Sequence, residues 1–118
     1  MKHDYTLWAD TFAPLIMGNP DKPSLGEELV ESFCNTDPEI ARHFAQVTFL
    51  SDNRLDLPKL KTDSLIMQCS EDVIAPIEVG NYVHRAIRNS TLVQMKATGH
   101  CPNLSSPLEV IEVMENYL

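Results

Sequence analysis

Apolar positions recur at three- and four-residue steps through the first half of the chain. Past Ser64 they bunch into short runs. The first pattern is that of amphipathic helices and the second that of buried strands. Tyr5, Trp8, Phe12, Leu15 and Ile16 share one face, which predicts a first helix capped by Asp4. Pro14 should bend it or tighten its last turn, and Gly18-Asn19-Pro20 should end it. Ser24-Leu25-Gly26-Glu27 has the S-x-x-E form of a capping box. It opens a second helix, with Leu25, Leu29 and Phe33 on one side and an end near Asn35. Asp37-Pro38 starts a third, with Pro in its first turn. Ile40, Phe44 and Thr48 make its stripe, Ala41 and Ala45 lie beside them, and Phe49 sits at its end. Arg54 to Leu60 predicts a short fourth helix, weakened by Pro58.

At Ser64 the period changes. Leu65, Ile66 and Met67 are consecutive apolar residues, as in a strand covered on both faces. Pro76 begins a helix with Val79, Tyr82, Val83, Ala86 and Ile87 as its stripe. Thr91 to Met95 reads as the next strand. Ser106-Pro107-Leu108-Glu109 is a second capping box, opening a last helix whose inner face is Leu108, Ile111, Met114 and Leu118. Residues 4–60 are thus all-helical, and residues 63–118 read strand, helix, strand, helix. Such a unit makes two parallel neighbours with a right-handed crossover, so the fold class is α/β.

Composition narrows the function classes. Of 118 residues, 43% are apolar and 22% charged, which fits a folded chain rather than a disordered one. The net charge is −8, and the nine basic residues form no patch, so nucleic acid is not an expected partner. No apolar run approaches the roughly 20 residues needed to span a bilayer, and the start lacks a signal-peptide core. A cytoplasmic protein without membrane contact is expected. Cys34, Cys69 and Cys101 are odd in number and far apart, which suits reduced thiols. There is no CxxC or HxxxH pair to hold zinc, and no cofactor is expected.

The chemistry gathers at the ends of the two strands. The first run leads to Gln68-Cys69-Ser70-Glu71-Asp72, and the second to Thr98-Gly99-His100-Cys101-Pro102. Carboxyl ends of parallel strands share one rim, so Asp72 and His100 should meet there. A carboxylate that accepts the Nδ1 proton makes an imidazole a good general base. Glu71 is the rival carboxylate. Acid before base is the later part of one triad order, Ser then Asp then His. The nucleophile is missing: there is no G-x-S-x-G, and Ser70, Ser105 and Ser106 lack a strand-to-helix elbow. Ser106 reads as a helix cap, and Cys101 only adjoins His100 in sequence. His3, His43 and His84 carry no partner signal and read as surface residues.

Together these stretches resemble the C-terminal part of an α/β-hydrolase. They are most similar to the RsbQ type, bacterial stress-response regulators related to plant karrikin and strigolactone receptors. The resemblance rests on Trp8-Ala9 with Phe12-Ala13, Phe33-Cys34-Asn35-Thr36-Asp37-Pro38, Ser51-Asp52-Asn53-Arg54, the run from Gln68 to Pro76, and Gly99-His100-Cys101-Pro102. It covers nearly the whole chain, with Asp63 standing where a Pro is common. It implies a four-helix lid over residues 1–62 and the C-terminal β-α-β-α part of the core over residues 63–118, without the N-terminal half of the core. By the same resemblance, the activity is serine hydrolysis of a small apolar ester or lactone-like ligand. Asp72 would be the triad acid, His100 the base, and Trp8, Phe12, Phe49 and Val73 would line the pocket. The implied partner is a PAS-domain phosphatase upstream of the general stress sigma factor. Two other readings stay open: a non-catalytic signalling module and an inactive remnant. A strand lacking its inner neighbour, beneath a lid lacking its floor, should make the isolated chain marginal. Self-association, or pairing with a complementing N-terminal fragment, is the expected consequence.

Overall fold

The computed structural model describes residues 2–118, with side chains from Tyr5 onward. The expectations for His3 and for Asp4 as a cap lie outside the described side chains. Three helices come first: α1 (Lys2–Met17), α2 (Pro23–Cys34) and α3 (Pro38–Leu50). A single 3-10 turn, Leu57–Lys59, occupies the fourth helical segment, because Pro58 leaves no room for a longer ladder. Then follow β1 (Ser64–Ser70), α4 (Ile77–Ala86), β2 (Ser90–Thr98), a short α5 (Pro102–Ser105) and α6 (Pro107–Tyr117).

α1 and α2 pack as a pair. The line of α1 that is buried is Ala9, Ala13 and Met17, at steps of four. The larger side chains stand beside that line. Tyr5 stacks on Trp8 at 5.8 Å between ring centroids, and Trp8 stacks on Phe12 and on Phe33 of α2 at 5.5 Å each. Small residues let the backbones approach while the rings cover the seam. The Tyr5 hydroxyl donates to the Phe33 carbonyl at 3.1 Å. α1 passes through Pro14 without ending, and Gly18 N–H donates to the Pro14 carbonyl at 3.0 Å to close the last turn.

α3 is well started and poorly covered. Asp37 Oδ1 accepts from Glu39 N at 2.8 Å and Ile40 N at 3.3 Å, and Pro38 follows the cap. The expected stripe of Ile40, Phe44 and Thr48 faces solvent, as does Val47 beside it, with Phe44 71% exposed. The chain's radius of gyration is 16.0 Å, against about 13–14 Å for a compact globule of this length. α3 accounts for part of that excess, since it makes only sparse contacts with other elements.

β1 and β2 pair in parallel, with α4 as the crossover. One face of the pair buries Cys69, Met95 and Ala97, against which Met67 and Val110 pack. α4 covers β1 from another side. There Gly80 lies so close to the buried Gln68 side chain that a Cβ would strike its Oε1. Gln68 in turn donates from Nε2 to the carbonyls of Ala75 at 2.8 Å and Cys69 at 3.0 Å.

Several expected faces turn out rotated. The expected inner face of α6, Leu108, Ile111 and Met114 with Leu118 just past its end, is exposed. Val110, Val113 and Tyr117 are half-buried instead. The helix carries two apolar stripes, and Glu109, bonded to the Lys96 and Ala97 amides of β2, chooses between them. On α4, Val79 and Tyr82 are exposed, while Gly80 and Ile87 are buried. Neither capping box forms. α2 begins at Pro23 with no side-chain cap, and Ser106 stands at the N-cap of α6 without a cap hydrogen bond.

Candidate active site

β1 ends at Ser70, and Glu71 turns the chain in a left-handed conformation at φ 53°. The next side chain, Asp72, is therefore folded back over its own loop. Its Oδ1 accepts from Ile74 N at 2.8 Å and Ala75 N at 2.9 Å. This leaves Oδ2 for His100, whose Nδ1 lies 2.9 Å away. The Asp72 side chain is 6% exposed and that of His100 41% exposed. The carboxylate is thus buried behind an imidazole that reaches solvent. Burial pushes the Asp72 carboxyl up. The hydrogen bonds from Ala75 N, His100 and Ile74 N outweigh that effect and hold it below its ordinary value. Asp72 thus stays an anion where an imidazolium would need one. Glu71, the rival carboxylate, is exposed.

The pair is brought level by an irregularity in the strand register. Ser64 to Gln68 pair with Ser90 to Gln94, an offset of 26 residues (94 − 68). Ser70 pairs with Thr98, an offset of 28 (98 − 70). Asp72 and His100 are also 28 apart. Between these pairs β1 carries Cys69 alone, whereas β2 carries Met95, Lys96 and Ala97. The surplus is a bulge of two residues, which keeps each side chain on its face because the strand period is two. With the earlier register, Asp72 would stand beside Thr98 instead, and His100 would lie about 6–7 Å further on.

The end of α1 clasps the histidine loop. His100 N donates to the Ile16 carbonyl at 2.8 Å, and Gly99 N to the Ser70 carbonyl at 3.2 Å. Gly99 sits at φ +80°, and a Cβ there would strike the Met17 carbonyl oxygen. Only glycine meets both conditions. Asn19 Nδ2 donates to the carbonyls of Met17 at 3.0 Å and Thr98 at 3.1 Å, and Thr98 Oγ1 donates back to Asn19 Oδ1 at 3.3 Å.

The serines near the site are engaged elsewhere. Ser70 Oγ donates into the bulge, toward the carbonyls of Lys96 at 3.3 Å and Ala97 at 3.1 Å. Ser105 Oγ donates to the Cys101 carbonyl at 3.3 Å. The Cys101 thiol is pushed up by burial and then by Asp72, which works against a thiolate. His43 is exposed, and His84, also exposed, lies 2.8 Å from Ser90 Oγ.

Of the four expected pocket residues, Trp8 and Phe12 meet in the stack on α1, 38% and 44% exposed. Phe49 is exposed on α3, and Val73 is exposed in the loop after β1. A cleft of about 440 Å³ lies between Arg54, Leu57 and the Val79, Tyr82 and Val83 side of α4, and it includes none of the four. Among the described residues, no cluster of His, Cys, Asp or Glu could hold a metal, and no helix is long and apolar enough to cross a membrane. Sequence reasoning missed Ser70, Glu109 and the Ile16–Asn19 turn. Their only sequence signals were a polar residue at a strand end, a glutamate read as a cap, and a glycine read as a stop.

No family model matches the chain. It is 34% identical over its full length to a probable esterase of Oryza sativa subsp. japonica, of which it covers 44%. It is 33% identical, with the same coverage, to the karrikin insensitive 2 receptor CA of Petunia hybrida. A solved hydrolase from Oleispira antarctica superposes on 97% of the chain with a TM-score of 0.85 and 39% identity, and the match covers 44% of that hydrolase. The enol-lactonase from Burkholderia xenovorans LB400 shares the fold at a TM-score of 0.86 and 19% identity. The chain therefore spans less than half the length of the relatives it matches. With Asp72 and His100 at one rim of a parallel pair, and with relatives of this kind along its whole length, the chain is similar to α/β-hydrolases and carries part of that fold.

Proposed function

We propose that this chain supplies the acid–base pair and lid of an RsbQ-type serine hydrolase acting on a small apolar ester or lactone-like ligand. Residues 1–62 are the lid and residues 63–118 the C-terminal part of the core. The observation that carries this reading is the 2.9 Å contact between the buried Asp72 carboxylate and the partly exposed His100 ring. Asp72 holds the proton on Nδ1 and stabilises the imidazolium. Nε2 then takes the proton of a serine hydroxyl as it attacks the ester carbonyl, and returns it to the leaving oxygen. That serine belongs to a G-x-S-x-G elbow on another segment of polypeptide, since this chain has no such motif. Trp8, Phe12, Phe49 and Val73 are the residues assigned to the apolar ligand. The reading places the protein in the cytoplasm.

The chain combined with an N-terminal hydrolase half carrying the elbow should turn over a p-nitrophenyl ester. His100→Ala should lower kcat by at least about 10²-fold, the lower range for loss of a general base. A complex that forms and keeps its turnover in that variant would refute the reading.

A second reading is favoured by the solvent-facing stripe of Ile40, Phe44 and Val47 on α3. In it the lid docks a signalling partner, a PAS-domain phosphatase in the general stress response. Pull-down of such a partner that survives His100→Ala and is lost on Phe44→Asp would separate docking from catalysis. Capture unaffected by Phe44→Asp would exclude α3 as the contact.

A further inference from the structure

The two-residue bulge in β2 has its own anchor, on α6. Glu109 lies in the first turn of that helix, and its carboxylate spans the bulge: Oε1 accepts from Lys96 N at 2.6 Å and Oε2 from Ala97 N at 2.9 Å. On the carbonyl side of the same two residues, Ser70 Oγ donates to both oxygens. Both N–H groups of the bulge are thus met by one glutamate carboxylate, and both carbonyls by one serine hydroxyl. Ala97 is 6% exposed, so water is poorly placed to replace the carboxylate at its N–H.

We propose that Glu109 is a positioning residue for the acid–base pair. By holding the surplus residues of β2 out of the ladder, it keeps the offset at 28 and so keeps His100 level with Asp72. The inference rests on the Asp72–His100 reading given above, but its evidence is the register of β2 and the carboxylate that fixes it. The cost of letting go is geometric. If the bulge relaxes by two residues, the strand slides by about 6–7 Å, and a 2.9 Å hydrogen bond does not survive such a slide. The same clamp explains why α6 turns Val110 inward and why Ser106 gains no capping box. The glutamate that would reach back to the cap is occupied on β2.

The test uses NMR on the full chain. The wild type should show a downfield His100 Nδ1 proton, the signature of its bond to Asp72, and slow exchange at the amides of Lys96 and Ala97. Glu109→Ala should remove the His100 signal and speed exchange at those two amides by about tenfold or more, while Ile66 to Gln68 in β1 stay protected as proof of folding. Glu109→Gln keeps the shape but offers one acceptor in place of two, and it should weaken both readouts if Glu109→Ala fails to fold. Faster exchange with an unchanged His100 signal would show that the clamp supports the strand without placing the histidine, and would overturn the proposal. Unchanged exchange would do the same. The readout needs no ester, so a failed hydrolysis assay leaves it standing. A wild type without the His100 signal would remove the pair and both readings with it.

Discussion

Replacing Gly99 by Ala perturbs the join between α1 and the histidine loop at its tightest point. Two penalties are visible. The residue sits at φ +80°, where a side chain costs about 1–2 kcal/mol. The added methyl also drives into the Met17 carbonyl oxygen, which is backbone and yields only if the end of α1 moves. Overpacking of that kind costs about 1–3 kcal/mol. Lower entropy in the unfolded chain returns about 0.4–1 kcal/mol. The net loss is about 2–4 kcal/mol, a large share of the roughly 6–18 kcal/mol available to a chain this long. At about 4 °C per kcal/mol, Tm should fall by about 8–16 °C in a far-UV circular dichroism melt. Movement of α1 also strains the bond from His100 N to the Ile16 carbonyl, so exchange of the His100 amide should quicken. Gly99→Asn separates the two causes: Asn tolerates left-handed backbone but keeps the Cβ, so most of the steric loss should remain. A Tm within about 2 °C of the parent for Gly99→Ala would refute the close approach of α1 and the histidine loop.

Three further outcomes are expected. The folded Asp72 carboxyl is held below its ordinary value, so its contribution is present above the unfolded value of about 3.9 and is lost as pH falls through the folded one. The urea midpoints of wild type and Asp72→Asn should therefore differ at neutral pH and converge below about pH 4; a gap that widens in acid would contradict this sign. Gly80→Ala gains about 1 kcal/mol of helix propensity but forces the Gln68 amide off its two carbonyl partners, so a net loss of about 1–2 kcal/mol is expected in urea unfolding; a more stable variant would mean that α4 does not press on β1. Asp37→Ala should cost about 1 kcal/mol within α3 alone. Because α3 is sparsely packed, the loss should appear as faster exchange at the Glu39 and Ile40 amides with little change in the global midpoint.

Local patterns in the sequence predicted the elements well, because helix and strand leave different apolar periods and because the caps and breakers at Asp37-Pro38, Gly18-Asn19-Pro20 and Pro76 act within a few residues of themselves. The same order of strands, with Asp72 and His100 at their carboxyl ends, was enough to foresee that the two side chains would share a rim. Tertiary structure decided everything that depends on a partner distant in sequence. It chose Val110 over Leu108 on α6, since a helix with two apolar stripes turns whichever one its anchor permits. It set the offset of 28 through a bulge, which no periodicity records because a shift of two leaves every residue on its original face. It also gave Glu109 to the amides of β2 and Ile16 to the amide of His100, contacts that exist only once helices and strands have packed.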